Sequence, residues 1–195
     1  MSSPGPELSL VCRPGKAGNV LTFPYRLENR GQTGVYVADA LPAVDPATRK
    51  VSADDQAVTI ILRGESEAVI GKIVAPPPAD RRIAMPVIPL ARLLQPGEAL
   101  EGELHVRSPL AETSPYFSDL LLRDYEIVDL ETVVFTIGFW PVDLTGLHAI
   151  RADYDPDRLI IVARDPTAGV KVAWQRFSTK GLQLFKRTDA FPRAI

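Results

Sequence analysis

Cysteine is nearly absent from this chain of 195 residues, where Cys12 stands alone. No intrachain disulfide can form, so an oxidised secreted scaffold loses its main support. No apolar run approaches the length of a membrane span, and the start, MSSPGPELSL, has neither a basic leader nor a signal-length apolar stretch. The expectation from these absences is a soluble, cytoplasmic protein. Histidine is represented by His105 and His148 only, and no serine stands in a G-x-S-x-G setting, so a triad hydrolase has no elbow to build on. No G-x-G-x-x-G occurs. Gly64–Lys72 ends in Gly-Lys, but six residues separate its glycines and Ile73 stands where a metal-binding Ser or Thr is needed. The net charge of −2 gives no bulk attraction to nucleic acid or anionic lipid. Repeats, heptads and low-complexity tracts are absent too, which excludes solenoids and coiled coils.

What the chain does have is period-two alternation and eighteen prolines. In Val20–Asn29, Leu21, Phe23, Tyr25 and Leu27 fall on one face and Thr22, Arg26 and Glu28 on the other. In Leu100–Arg107, Leu100, Leu104 and Val106 oppose Glu101, Glu103, His105 and Arg107. Such alternation marks strands with one face on a core and one in water, the antiparallel pattern. Further strands are expected at Leu8–Cys12, Val35–Ala38, Ala57–Arg63, Ala68–Val74, Arg82–Val87, Thr132–Trp140, Leu159–Arg164, Val170–Arg176 and Gly181–Lys186. The turn cluster 29–34 predicts a hairpin between Val20–Asn29 and Val35–Ala38. Ala57–Arg63, apolar throughout its middle, reads as a central strand covered on both faces. Leu90–Leu94 reads as one helical turn. Ser114-Pro115 resembles an N-cap and first helical residue, predicting a short helix over Pro115–Arg123. The runs after 159 read as a hairpin or meander. Phe23, Tyr25, Leu27, Ile60, Leu62, Leu104, Val106, Phe135 and Ile137 are expected to share one core.

The strand ending in Asn29-x-Gly31, the hairpin to Val35–Ala38, and Leu94-Gln95-Pro96-Gly97-Glu98 leading into a new strand resemble the immunoglobulin-like modules common in bacterial proteins. The resemblance spans roughly residues 8–140 and implies a fold, not an activity.

Three constellations offer chemistry. Asp153, Asp155 and Asp157 could present oxygen ligands to calcium, but Arg158 occupies the loop's sixth position, where glycine permits the turn, and Arg164 the twelfth, where Glu closes the shell. An Asp-Pro turn between strands explains the same residues, and no metal or cofactor is expected. Glu101 and Glu103 share a strand face at about 6.5–7 Å, near the lower limit of an inverting glycosidase pair. Trp140 and Trp174 could form a sugar platform, or core and interface material. Cys12 sits in a strand-like apolar run, the setting of an inert packed thiol.

Charge placement is asymmetric. Residues 110–131 carry Glu112, Asp119, Asp124, Glu126, Asp129 and Glu131 against Arg123 alone. Residues 171–195 carry Lys171, Arg176, Lys180, Lys186, Arg187 and Arg193 against Asp189 alone. Either both are solvated surfaces, or the tail docks on the acidic insertion within the chain or between copies.

Together these features predict one all-β domain over 1–195: an immunoglobulin-like antiparallel β-sandwich over 8–140, a short helical insertion at 108–130, and a C-terminal β-hairpin extension over 141–195. The expected function is a non-enzymatic interaction or assembly module binding another protein or itself, through an interface drawn from Trp140, Trp174, Lys180, Lys186, Arg187, Asp124, Glu126 and Asp129. A carbohydrate-binding or carbohydrate-processing module is the alternative, and an inhibitor inserting the Ala75–Arg82 loop into an enzyme is a third. Deleting 180–195 is expected to leave the sandwich folded.

Overall fold

The computed structural model describes residues 8–45, 47–78, 83, 86–117, 125–165, 167 and 169–188. Among them every regular element is a strand and none is a helix, so no helix is long and apolar enough to cross a membrane.

The smaller sheet is centred on β3 (Val20–Asn29). One edge of β3 pairs with β1 (Leu8–Cys12) and then β2 (Gly15–Ala17), and the other with β9 (Ala99–Arg107), all antiparallel. Its inward residues are those that the alternation marks: Leu21, Phe23, Tyr25 and Leu27 are buried against Leu104 and Val106. A glutamine amide bonds to each outer edge of this sheet. The Cys12 N–H donates to Gln175 Oε1 at 2.7 Å, and Gln56 receives the His105 N–H at 3.0 Å while donating to the Glu103 carbonyl at 3.2 Å.

The larger sheet is built on β11 (Tyr125–Pro141), paired antiparallel along most of its length with β14 (Lys171–Arg187). Its other edge is shared. Thr132–Ile137 pairs in parallel with β7 (Glu67–Lys72), which pairs in turn with β6 (Thr59–Arg63), and Phe139–Pro141 pairs with β4 (Val35–Val44). From β4 the sheet continues through β8 (Leu90–Leu94) and β13 (Asp155–Ala163) to β12 (Leu147–Ala152), with β5 (Val51–Asp54) on the far half of β4 and β10 (Leu110–Ala111) parallel to the end of β14.

The two sheets meet in one core, which contains all nine of the residues expected there. At its centre Phe135 stacks on Phe23, ring centroids 5.5 Å apart, and touches Tyr25 at 5.4 Å. Because side chains alternate along β11, Phe139 enters this core while its neighbour Trp140 enters a second one, with Ala38, Ala91, Leu147 and Ile161. β11 is thus the wall between two cores. The expected strands Val170–Arg176 and Gly181–Lys186 are one strand, β14, interrupted where its register on β11 shifts between Leu130 and Thr132. Gly181 sits there at φ +65°, a conformation L side chains avoid. The shift keeps Leu182 and Leu184 buried on the core side, in step with Ala173.

Several expectations are corrected. The turn after β3 is not a hairpin: β4 joins the other sheet. Asn29 explains this, because its Nδ2 donates to the carbonyls of Thr33 at 2.9 Å and Leu94 at 3.0 Å and so ties the turn to β8. Leu90–Leu94 is a strand, since ladders to β4 on one side and β13 on the other override its good helix formers. β6 is buried on both faces but lies at the margin, paired with β7 and bridged to Thr113 through Ile60. The C-terminal hairpin is β12–β13, turning at Asp153-Tyr154, while β14 returns to β11. The expectation for the deletion changes, because Leu182 and Leu184 belong to the main core and a cut at 180 removes them. Of the expected helix, Pro115–Phe117 form a turn and 118–123 lie outside the described residues. Of the expected strand at 82–87, residues 82, 84 and 85 lie outside them and Ile83, Pro86 and Val87 are not in a strand.

Candidate interaction surface

The outer face of β7, β11 and β14 is set by register. Val134 lies between Val69 and Arg176, and Thr136 between Gly71 and Trp174. Gly71 lets the strands close up there, since a Cβ on it would stand 1.9 Å from the Thr136 carbonyl oxygen. The result is a groove of about 370 Å³ floored by Val69, Val134 and Thr136 and walled by Val172 and Trp174. Trp174 is 60% exposed, the most of any large hydrophobic residue among the described residues, and Val172 is also exposed. Arg63 and Arg176 stand at one end, and both reach Glu67, Arg176 Nη2 at 2.9 Å from its Oε2. An apolar bed, one large aromatic and a cationic rim suit an apolar side chain of a partner with acidic neighbours. Among the described residues its one hydroxyl, Thr136, donates to the Ala173 carbonyl at 3.3 Å, and no carboxylate lines the groove.

A second constellation lies inside. β4 carries one extra residue opposite β8, between Ala38 and Ala40, and that residue is Asp39. The bulge brings its carboxylate Oδ2 to Arg92 Nε at 2.8 Å and Arg158 Nε at 2.7 Å. Arg158, buried, also grips Asp155 and Asp55. Burial opposes its charge, but the hydrogen bonds to Asp39 and Asp155 outweigh this and raise its pKa. The Arg158 hydrogen bond likewise lowers that of Asp155. Lys72 Nζ donates to the Asp39 backbone carbonyl and lies 6.0 Å from the Tyr25 ring centroid. Burial pushes the Lys72 ammonium below its ordinary value, with Asp39 and Asp55 opposing the shift, and burial also raises the Tyr25 phenol. The three cations and three carboxylates interlock, which makes this a paired structural hub tying β4, β8 and β13 to the end of β7.

A lysine whose pKa is lowered on folding takes up fewer protons folded than unfolded, so stability rises with pH between the folded value and about 10.4, the unfolded one. The wild type is therefore expected to gain on Lys72→Met as pH rises toward about 10.4. Urea midpoints of both proteins across that range check it; a constant gap contradicts it.

Of the residues expected at an interface, Trp174 lies on the groove, but Trp140 is fully buried, so the two tryptophans form no common platform. Arg187 is buried too: its N–H donates to Glu112 Oε2 at 2.8 Å and its guanidinium lies over Phe117. Glu112, also buried, accepts the Leu62 N–H at 3.0 Å through its other oxygen, clipping β6 to β14. Lys186 pairs with Glu126 at 2.9 Å, and Asp129 accepts from Gln183 at 3.0 Å. The basic strand thus docks on the acidic one within the chain. Lys180 is exposed beside a cavity of about 230 Å³ at the end of the main core, and Asp124 lies outside the described residues.

Glu101 pairs with Arg26 at 2.6 Å and Glu103 with His105 at 3.0 Å on the exposed face of β9. Asp153 belongs to the β12–β13 turn, Asp155 is held by Arg158, and no three metal-binding side chains cluster among the described residues. Burial pushes the Cys12 thiol up to about 12, which leaves it unreactive. In the Ala75–Arg82 loop, Ala75 and Pro78 are buried, Pro77 is exposed, and 79–82 lie outside the described residues. The hub residues Asp39, Lys72, Arg92 and Arg158 escaped the sequence reading, although Asp39 and Lys72 each interrupt an otherwise apolar run. Comparison with protein-family models, curated proteins and solved structures gives no match.

Proposed function

We propose that this chain is a non-enzymatic, cytoplasmic interaction or assembly module on an immunoglobulin-like sandwich, and that its partner protein docks on the groove beside Trp174. Two sheets around one core support the sandwich reading, while the parallel β7–β11 ladder and the β4–β8–β13–β12 arm depart from a minimal module. The observation that carries the functional reading is Trp174, held exposed over an apolar floor with arginines at the rim. Exposed aromatics of this kind anchor protein interfaces. Quantitative capture from native lysate with wild-type, Trp174→Ala and Trp140→Phe baits tests it. Proteins held by the wild type and by Trp140→Phe are expected to be depleted at least about tenfold on Trp174→Ala, the effect of losing a central anchor of about 1.4 kcal/mol or more. Equal capture by all three overturns the reading.

A further inference from the structure

The open edge of β9 carries a self-complementary pattern. Among the described residues no strand pairs with it. The Gln56 contacts show which groups face outward: the Glu103 carbonyl and His105 N–H point away from β3, and by alternation so do the backbone groups of Glu101 and Arg107. The side chains of these four residues are exposed on the sheet's outer face. Along the strand the order is acid, acid, histidine, arginine, so reversing it places unlike groups opposite.

We infer that β9 is a homodimerisation edge, pairing antiparallel with β9 of a second copy about a two-fold axis through Leu104. In that register Glu101 faces the second copy's Arg107 and Glu103 its His105, and each contact occurs twice. Parity agrees, because every facing pair joins two residues whose N–H and C=O both point outward, as a hydrogen-bonded antiparallel pair requires. Leu104 meets Leu104 as a non-hydrogen-bonded pair and keeps its side chain in the core. Registers shifted by two set Glu103 against Glu103 or His105 against His105. The exposed Gln56 amide covers the two central edge groups, and the second copy's backbone replaces it. Beside Arg107 the edge adjoins a groove of about 500 Å³ reaching to Pro109 and Pro115, where the second copy's Glu101 end lies. This surface is separate from the Trp174 groove, so either reading can fail alone.

Sedimentation equilibrium of the full chain across a wide concentration range tests the inference. The wild type is expected to be a reversible dimer, and Gln56→Ala, freed of its competing amide, a tighter one. Arg107→Glu sets like charges opposite twice and is expected to weaken association about tenfold or more, with Glu101→Arg/Arg107→Glu restoring it. Register is read by cysteine pairs, since facing residues lie about 5.5 Å apart, within disulfide range. Glu101→Cys/Arg107→Cys is expected to crosslink two chains on mild oxidation, and Glu101→Cys/His105→Cys not to. A monomer at every concentration, including with Gln56→Ala, overturns the inference, as does a dimer indifferent to Arg107→Glu or crosslinked equally by both cysteine pairs.

Discussion

Phe135→Ala is expected to lower the free energy of unfolding by about 3–5 kcal/mol, the cost of removing a fully buried aromatic ring and leaving its cavity. Phe135 is completely inaccessible, and it stands where the two sheets meet. Its ring lies nearly parallel to that of Phe23, 8° between planes, and tilted against Tyr25. Its backbone lies in ladders to β7 and β14, with Ile70 and Gln175 as register partners, so the surrounding strands cannot collapse into the space. The loss therefore combines transfer, cavity and ring-contact energies. Urea denaturation reads it as a shifted midpoint at unchanged slope. Phe135→Leu, which fills part of the space, loses less. An unchanged midpoint for Phe135→Ala places the ring outside the core.

Asp39→Ala is expected to cost about 3–5 kcal/mol by a different route, the penalty of breaking a buried ion pair from one side. Asp39 is buried, and the same oxygen receives both Arg92 and Arg158. Its removal leaves Lys72, Arg92 and Arg158 facing only Asp55 and Asp155, with Arg158 still out of water. Replacing both partners is less harmful than the single change suggests, because a buried apolar pair needs no compensating charge. The double variant Asp39→Ala/Arg158→Met is thus expected to lose less than the sum of its single changes, a coupling that a double-mutant cycle measures. Strict additivity contradicts a shared hub.

What was legible in the chain follows from how local each feature is. β3 and β9 declare their inward faces because each has one face in water, and the same period marks Val133, Phe135, Ile137 and Phe139 on β11. Pairing partners are not local. Asn29 and Gly31 signal a turn correctly, but whether the next strand folds back or crosses to the other sheet depends on the Leu94 carbonyl, 65 residues away. Leu90–Leu94 has the composition of a helix and becomes a strand because two ladders hold it. Trp140 and Trp174 look alike as strand tryptophans, yet one is packed in the second core with Ala38, Ala91, Leu147 and Ile161 and the other faces out. The charged hub assembles residues from β4, β7, β8 and β13, so no spacing reveals it. A lone Asp39 within VYVADAL and a lone Lys72 within AVIGKIV are the signals that could have.

Hydroxyl-radical footprinting of the two tryptophans tests the docking role of Trp174 directly. In the isolated chain Trp174 is expected to oxidise readily and Trp140 to resist, as their burial dictates. In the complex captured from lysate, Trp174 is expected to become protected while Trp140 stays as it was. Trp174 oxidised at the same rate in both samples would contradict the account.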